Sequence, residues 1–263
     1  MGEVAEGRVV AEREGAVGRI VVDNPARRNA MSLAMWRQGH QALRDFAADP
    51  SVRAIVVAGR GEKAFVSGAD ISRFAAERQD AAAAQSYDEA AFGFLEALRR
   101  VEKPTVAAIR GYCMGGGVSL AVACDLRLCD QQARFGVPAA RLGLGYGANA
   151  LARLAAVVGE AGARWLLLTG EQIDADRASR MGLVHEVVQS SIFGHRLEAL
   201  VEALVANAPL TLRAVKIGLD EISENVPGLP RTAEAVKACF ASSDFAEGRR
   251  AFLEKRPPRF SGR

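Results

Sequence analysis

Three glycines in succession, Gly115-Gly116-Gly117, precede Val118-Ser-Leu-Ala-Val-Ala123, a run whose length and alanine content suit a buried helix. Backbone N–H groups at a helix start, together with the positive end of its dipole, favour negative charge, so the triplet can hold an anionic group. The same glycines equally allow close packing of helix on strand. A second glycine-rich stretch, Gly143-Leu-Gly-Tyr-Gly147, opens another helical run. The Val-Pro-Ala-Ala-Arg before it is no buried strand, which argues against a dinucleotide fingerprint. Ser119 lacks the second glycine of a nucleophile elbow, and no histidine is paired with it. His40, His185 and His195 are the only histidines and form no helical metal-binding motif. Cys113, Cys124, Cys129 and Cys239 match neither a zinc pattern nor a redox pair, and read as buried thiols of a reducing compartment. No metal is expected.

The elements that must position these residues form two groups. Strands are expected at Val9–Glu14 and Val17–Val22 about a Glu-Gly turn, at Ala54–Ala58, at Thr105–Ile109 and at Leu126–Cys129. Helices are expected from a Ser32 cap to Asp49-Pro50, over Asp80–Arg100, after the glycine triplet, and over Ala150–Val158. From there helices dominate, broken by Pro209, Pro227 and Pro230. The chain is accordingly divided into an α/β core, residues 1–196, and a helical region, 197–263. With 263 residues, 49% hydrophobic and 25% charged, it is long and apolar enough for a sizeable folded core and excludes a disulfide-stapled miniprotein or a disordered chain. The formal charge of +3 is scattered, so no nucleic-acid track is expected. The first residues carry acid and lack an apolar leader, and no apolar run approaches the ~18 residues that span a bilayer, so a cytoplasmic location off the membrane is expected.

Lys63-Ala-Phe-Val-Ser-Gly-Ala-Asp-Ile71, taken together with Gly111-Tyr-Cys-Met-Gly-Gly-Gly-Val-Ser-Leu-Ala121, resembles the crotonase, or enoyl-CoA hydratase/isomerase, family. Asn24-Pro25, Asn29-Ala30, Arg134-Phe-Gly-Val-Pro138, Gly182-Leu-Val184 and Glu247-Gly-Arg-Arg-Ala-Phe-Leu-Glu-Lys-Arg256 extend the resemblance, in the family's order, over almost the whole chain. The resemblance implies a spiral of ββα units followed by a helical C-terminal region that assembles trimers, often stacked as a dimer of trimers. It implies an acyl-CoA thioester as substrate, with CoA part of the substrate and no separate cofactor. The thioester carbonyl would accept two backbone N–H bonds, assigned here to Ser67 and Gly116. Their small neighbours Gly68, Ala69, Gly115 and Gly117 let the thioester approach, while Asp70 holds the loop and, with Ile71, contributes to the CoA site. Phe252 and Lys255, at i and i+3 of the C-terminal helix, would meet CoA; the alternatives are a trimer contact for Phe252 and a solvated Lys255.

Enoyl-CoA hydratases carry two glutamates, one two residues after the glycine triplet and one directly after Phe-Gly-x-Pro. This sequence has Ser119 and Ala139 there, neither of which is a carboxylate acid or base. Asn149 stands near a third catalytic position of related isomerases, where it either orients water or a carbonyl or caps the following helix. Tyr146 and Arg141 lie in the same segment, with pocket and packing roles both open. The expectation is an acyl-CoA-binding family member, a lyase or isomerase that stabilises an enolate-like oxyanion. The alternatives are a catalytically silent acyl-CoA-binding protein, or a decarboxylase or thioester hydrolase on the same platform.

Overall fold

The computed structural model describes residues 6–70, 73 and 80–263. Strands β1 (Arg8–Glu14) and β2 (Val17–Asp23) pair antiparallel through a turn at Gly15, as the Glu-Gly signal predicts. Helix α1 (Leu33–Ala48) starts where Ser32 Oγ accepts the Met35 N–H at 3.3 Å. Its buried residues Met35, Trp36, Gly39, Leu43 and Phe46 recur at the three- and four-residue spacing that lays one face on the core. Strands β3 (Ala54–Gly59) and β4 (Ala64–Val66) precede α2 (Ala81–Arg100), capped by Asp80 Oδ1 on the Ala83 N–H at 2.8 Å. Then come β5 (Thr105–Ile109), β6 (Tyr112–Met114) and α3 (Gly116–Ala123), and after them β7 (Leu126–Asp130), β8 (Arg134–Gly136) and α4 (Ala148–Thr169). The α4 helix runs past the expected end at Val158, with one non-helical residue, Gly159.

From β3 to β8 successive strands alternate between two sheets. One sheet has the order β1-β2-β3-β5-β7-β10, with β10 at Glu186–Val188; the other has β4-β6-β8-β9, with β9 at Ile173–Asp174. Each turn of chain therefore adds one strand to each sheet and then a helix, with β2, β3, β5 and β7 parallel to one another and β4, β6 and β8 parallel likewise. This is the ββα spiral that the resemblance implies. The first sheet is covered on both faces: Ile55, Val57, Ala107 and Ile109 point into the main core with Trp36, Phe65, Phe94 and Phe135, whereas Ala54, Val56, Val106 and Ala108 meet a second cluster. Burial on both sides is why these strands read as unbroken apolar runs instead of alternating.

That second cluster is completed by Phe193, Leu197 and Val201 of α6 (Phe193–Ala206), which follows the short α5 (Ala175–Arg180). The boundary drawn at 196/197 thus falls inside a helix that packs on the sheet. The elements beyond it are α7 (Pro209–Ser223), α8 (Pro230–Phe240) and α9 (Ser243–Leu253). Buried Glu221 joins the first two by accepting the Arg231 and Thr232 N–H groups at the start of α8 (3.1 and 2.8 Å). Glu247 of α9 pairs with Arg256 at 2.6 Å, and buried Asp244 accepts the Ser261 and Gly262 N–H groups (2.7 and 2.8 Å), tying down the tail.

Candidate active site

The turn Ser67–Asp70 is held from one side by residues 24–31. Buried Asn24 and Asn29 lock that segment: Asn29 Oδ1 accepts the Asn24 N–H at 3.0 Å, Asn29 Nδ2 donates to the Ala64 carbonyl at 2.6 Å, and Asn24 Nδ2 donates to the Ala30 carbonyl at 2.9 Å. Met31 then forms a parallel bridge with Ala69, its N–H donating to the Gly68 carbonyl (2.8 Å) and its carbonyl accepting the Asp70 N–H (3.0 Å). Arg27 pairs at 3.2 Å with the buried Asp70 carboxylate. Ile71 lies outside the described residues.

This lattice of bonds corrects the donor assignment. The Ser67 N–H donates to the Arg28 carbonyl at 3.2 Å, and Ser67 Oγ donates to the Arg27 carbonyl at 3.2 Å, so the amide expected to hold the thioester is spent on the protein. In a parallel bridge the neighbours of the central residue bond to the facing strand while its own N–H points the other way. The Ala69 N–H is therefore turned away from Met31 and has no partner among the described residues. The sequence reasoning placed Ala69 beside the site without identifying its amide as a donor; no local signal separates it from Ser67, because both are small residues flanking Gly68.

The glycine triplet supplies the facing turn. Gly116 is the first residue of α3, so its N–H has no upstream carbonyl to bond, and Gly115 at φ +52° and Gly68 at φ +106° hold backbone conformations that suit glycine. A Cβ built on Gly68 would stand 4.0 Å from Gly116 N and 3.3 Å from the Met114 carbonyl oxygen, and one on Gly117 would overlap the Val66 carbonyl oxygen. The triplet therefore packs α3 tightly on β4 and sets the start of that helix beside the Gly68 turn. Behind it, Trp36 Cζ2 lies 3.4 Å from the Cβ position of Gly116. The indole N–H donates to Tyr87 Oη at 2.9 Å, and Tyr87 donates to the Met31 carbonyl at 3.0 Å, which links the support of one turn to that of the other. Sequence reasoning did not single out Trp36 or Tyr87, whose pairing spans 51 positions.

The hydratase glutamate positions are occupied differently. Ser119, on the first turns of α3, shares a 3.0 Å hydrogen bond with Tyr146 Oη, and the phenol donates to the Gly115 carbonyl over 3.4 Å. Burial pushes the Tyr146 phenol above its ordinary pKa, the bond from Ser119 opposing this in part, so it stays protonated through the neutral range. Buried Ala139 lies in a 3-10 turn, Pro138–Leu142, its carbonyl accepting the Leu144 N–H at 3.0 Å. Asn149 is exposed in the first turn of α4 and does not cap it; Gly147 holds the cap position. Arg141 is exposed, its stem against Gly170. Of that segment, Tyr146 alone is joined by a hydrogen bond to the glycine-triplet helix among the described residues.

Phe252 and Lys255 do not share a helix face. The α9 helix ends at Leu253, and Lys255 stands beyond it at φ +53° with its N–H on the Phe252 carbonyl at 3.3 Å. The helical periodicity of the sequence did not register that Glu254 ends the helix. Phe252 is 83% exposed. Three thiols are buried: Cys113 is raised well above the ordinary thiol range by burial, and Cys124 and Cys129 are each pushed up to about 12 by the same cause, which makes them poor nucleophiles. Among the described residues no group of three or more His, Cys, Asp and Glu side chains is placed to hold a metal, and no helix is long and apolar enough to cross a membrane.

A family profile described as enoyl-CoA hydratase/isomerase matches residues 12–263. The chain is 32% identical over 253 residues to a short-chain-enoyl-CoA hydratase of Clostridium acetobutylicum, covering 94% of this chain and 95% of that protein. It is 32% identical over 256 residues to a crotonyl-CoA hydratase of Syntrophomonas wolfei, covering 96% and 97%. A crystal structure of an enoyl-CoA hydratase/carnithine racemase from Magnetospirillum magneticum superposes with a TM-score of 0.94 at 33% identity, covering 100% of this chain and 97% of that one. With the ββα spiral, the ordered motifs and these full-length matches in agreement, the chain belongs to the enoyl-CoA hydratase/isomerase family.

Proposed function

We propose that the protein binds an acyl-CoA thioester with its carbonyl oxygen between the Ala69 and Gly116 N–H groups and stabilises the enolate-like oxyanion formed there. The observation that carries this reading is a pair of adjoining turns, each fixed by neighbouring hydrogen bonds, on which the Ala69 and Gly116 N–H groups have no partner among the described residues. Fixed donors aimed at developing charge need no reorganisation during reaction, and the start of α3 adds a favourable dipole. Coenzyme A arrives with the substrate, and no separate cofactor enters the reading. Free cysteines fit a reducing, cytoplasmic setting.

The relatives named as hydratases do not carry hydration over to this chain, because Ser119 and Ala139 have no carboxylate to activate water or return a proton. Slow crotonyl-CoA hydration is the expected result. The exposed apolar face of α7–α9, with Leu219, Ile222, Phe240 and Phe252 at its surface, is taken as the self-association surface of a homotrimer or a dimer of trimers. In that assembly Phe252 belongs to the subunit contact or to the CoA site, and Lys255 lies next to it to meet a CoA phosphate.

The test compares butyryl-CoA with S-butyl-CoA, a thioether of the same length that lacks the carbonyl. The parent protein should prefer the thioester by up to ~10-fold, the scale of one or two net hydrogen bonds. In Gly116→Pro, which removes an amide at the helix position that best tolerates proline, the preference should shrink toward unity. Equal affinities of the parent for both ligands would overturn the reading, and crotonyl-CoA hydration at the rate of an efficient hydratase would overturn the expectation of slow hydration.

A further inference from the structure

Two neutral hydroxyls occupy the place where hydration chemistry asks for a carboxylate. Ser119 Oγ and Tyr146 Oη are 3.0 Å apart, and the phenol proton is directed at the Gly115 carbonyl over 3.4 Å, a long contact that a better acceptor replaces easily. Burial keeps that phenol protonated. A neutral phenol can give a proton to the basic α-carbon of a thioester enolate, but it is no base for removing one from an acyl-CoA. An enolate met by this pair must therefore form by a step that asks the protein for no base.

Loss of carbon dioxide from a 2-carboxyacyl thioester is such a step, and the same two positions favour its substrate. A carboxylate at 119 or 139 would repel a substrate carboxylate on the α-carbon by several kcal/mol at ~4 Å and an effective dielectric near 20. Serine and buried alanine remove that repulsion, and the hydroxyl pair offers hydrogen bonds instead. Resting on the acyl-CoA reading above, we propose that the chain decarboxylates a 2-carboxyacyl-CoA, with Tyr146 as the catalytic acid and Ser119 as its positioning residue. The bond between the α-carbon and the carboxylate breaks, and its electron pair moves into the thioester as the enolate, whose oxygen is held by the Ala69 and Gly116 N–H groups. Carbon dioxide leaves. The Tyr146 proton passes to the α-carbon and re-forms the acyl-CoA, and the phenolate recovers a proton from water by way of the Ser119 hydroxyl.

The experiment incubates the protein in D2O with malonyl-CoA and 2-methylmalonyl-CoA, following carbon dioxide release and deuterium at C2 of the product, and separately titrates butyryl-CoA. The parent should release carbon dioxide and place one solvent deuterium at C2. Tyr146→Phe should lower kcat by ~10²-fold or more while KM and the butyryl-CoA Kd stay within about twofold, since positioned proton transfer contributes on this scale. Ser119→Ala should lower kcat by a smaller factor, and Ser119→Thr, which keeps the hydroxyl, should restore it. A parent that binds butyryl-CoA yet releases no carbon dioxide from either substrate overturns the decarboxylation and leaves the acyl-CoA reading standing; failure to bind butyryl-CoA overturns that reading itself. Full kcat in a folded Tyr146→Phe overturns the role of the phenol. If that variant does not fold, the Ser119→Ala and Ser119→Thr pair decides, because equal kcat in both removes the hydroxyl from the mechanism.

Discussion

Gly116 is closely flanked: Trp36 stands behind it, Gly68 lies across from it, and its neighbour Gly117 packs directly on the Val66 carbonyl. Along α7–α9, by contrast, Leu219, Phe240 and Phe252 are 62%, 63% and 83% exposed. The spiral buries two apolar clusters of its own about its sheets and leaves the Ala69 and Gly116 N–H groups without a partner among the described residues. The helical arm satisfies polar groups through Glu221, Asp244 and Glu247, but leaves its apolar surface uncovered. On the proposed function, the spiral is the part that receives a small ligand and the arm the part that a second copy of the chain covers.

The largest expected effect breaks the spiral side of this contrast. Gly117→Val places a side chain into the Val66 carbonyl, and neither backbone can yield without separating α3 from β4. The cost should be ~4 kcal/mol or more, the range reserved for overpacking against fixed atoms, and urea unfolding of the purified variant measures it. An unchanged midpoint would mean the turn has slack and that the close fit argued for it is absent. Asp244→Ala tests polar completeness in the arm. It strips the Ser261 and Gly262 amides of their acceptor and should cost ~1–3 kcal/mol, with faster hydrogen exchange confined to the C-terminal tail. Exchange that rises equally across the spiral would show that arm and spiral unfold as one unit. The smallest effect on the isolated fold, and the sharpest on assembly, is expected of Leu219→Ser combined with Phe240→Ser. Exposed substitutions of this kind change stability by about 0.5 kcal/mol or less, yet on the proposed self-association light scattering should show a trimer or hexamer for the parent and monomers for the variant. A variant that keeps the parent's mass would assign self-association to a different face.

Much of the spiral was legible because its signals are local. Ser32 and Asp80 cap their helices through bonds three residues away, and Gly15 turns the first hairpin. The unbroken Ala-Ile-Val-Val-Ala of β3 announces a strand buried on both faces. The arm was less legible. The boundary near Leu197 marked where helices begin to dominate and falls inside α6, whose Leu197 and Val201 pack on the sheet. Lys255 continued a helical pattern that the backbone had already left at Glu254.

Sequence alone determined the longer strands of the first sheet, the two glycine-containing turns and the loss of both carboxylates at 119 and 139, since each is a property of a residue and its near neighbours; the two- and three-residue strands β4, β6, β8, β9 and β10 are too short to carry such a signal. Tertiary structure alone decided which amides remain over. Ser67 and Ala69 are equivalent in a linear reading, and Arg28 and Met31, some forty residues upstream, consume one and spare the other. The meeting of Tyr146 with Ser119 across 27 positions has the same origin. Whether a hydrogen-bonding group is spent or available depends on what the fold brings opposite it, and hydrogen bonds act over about 3 Å of space regardless of separation along the chain.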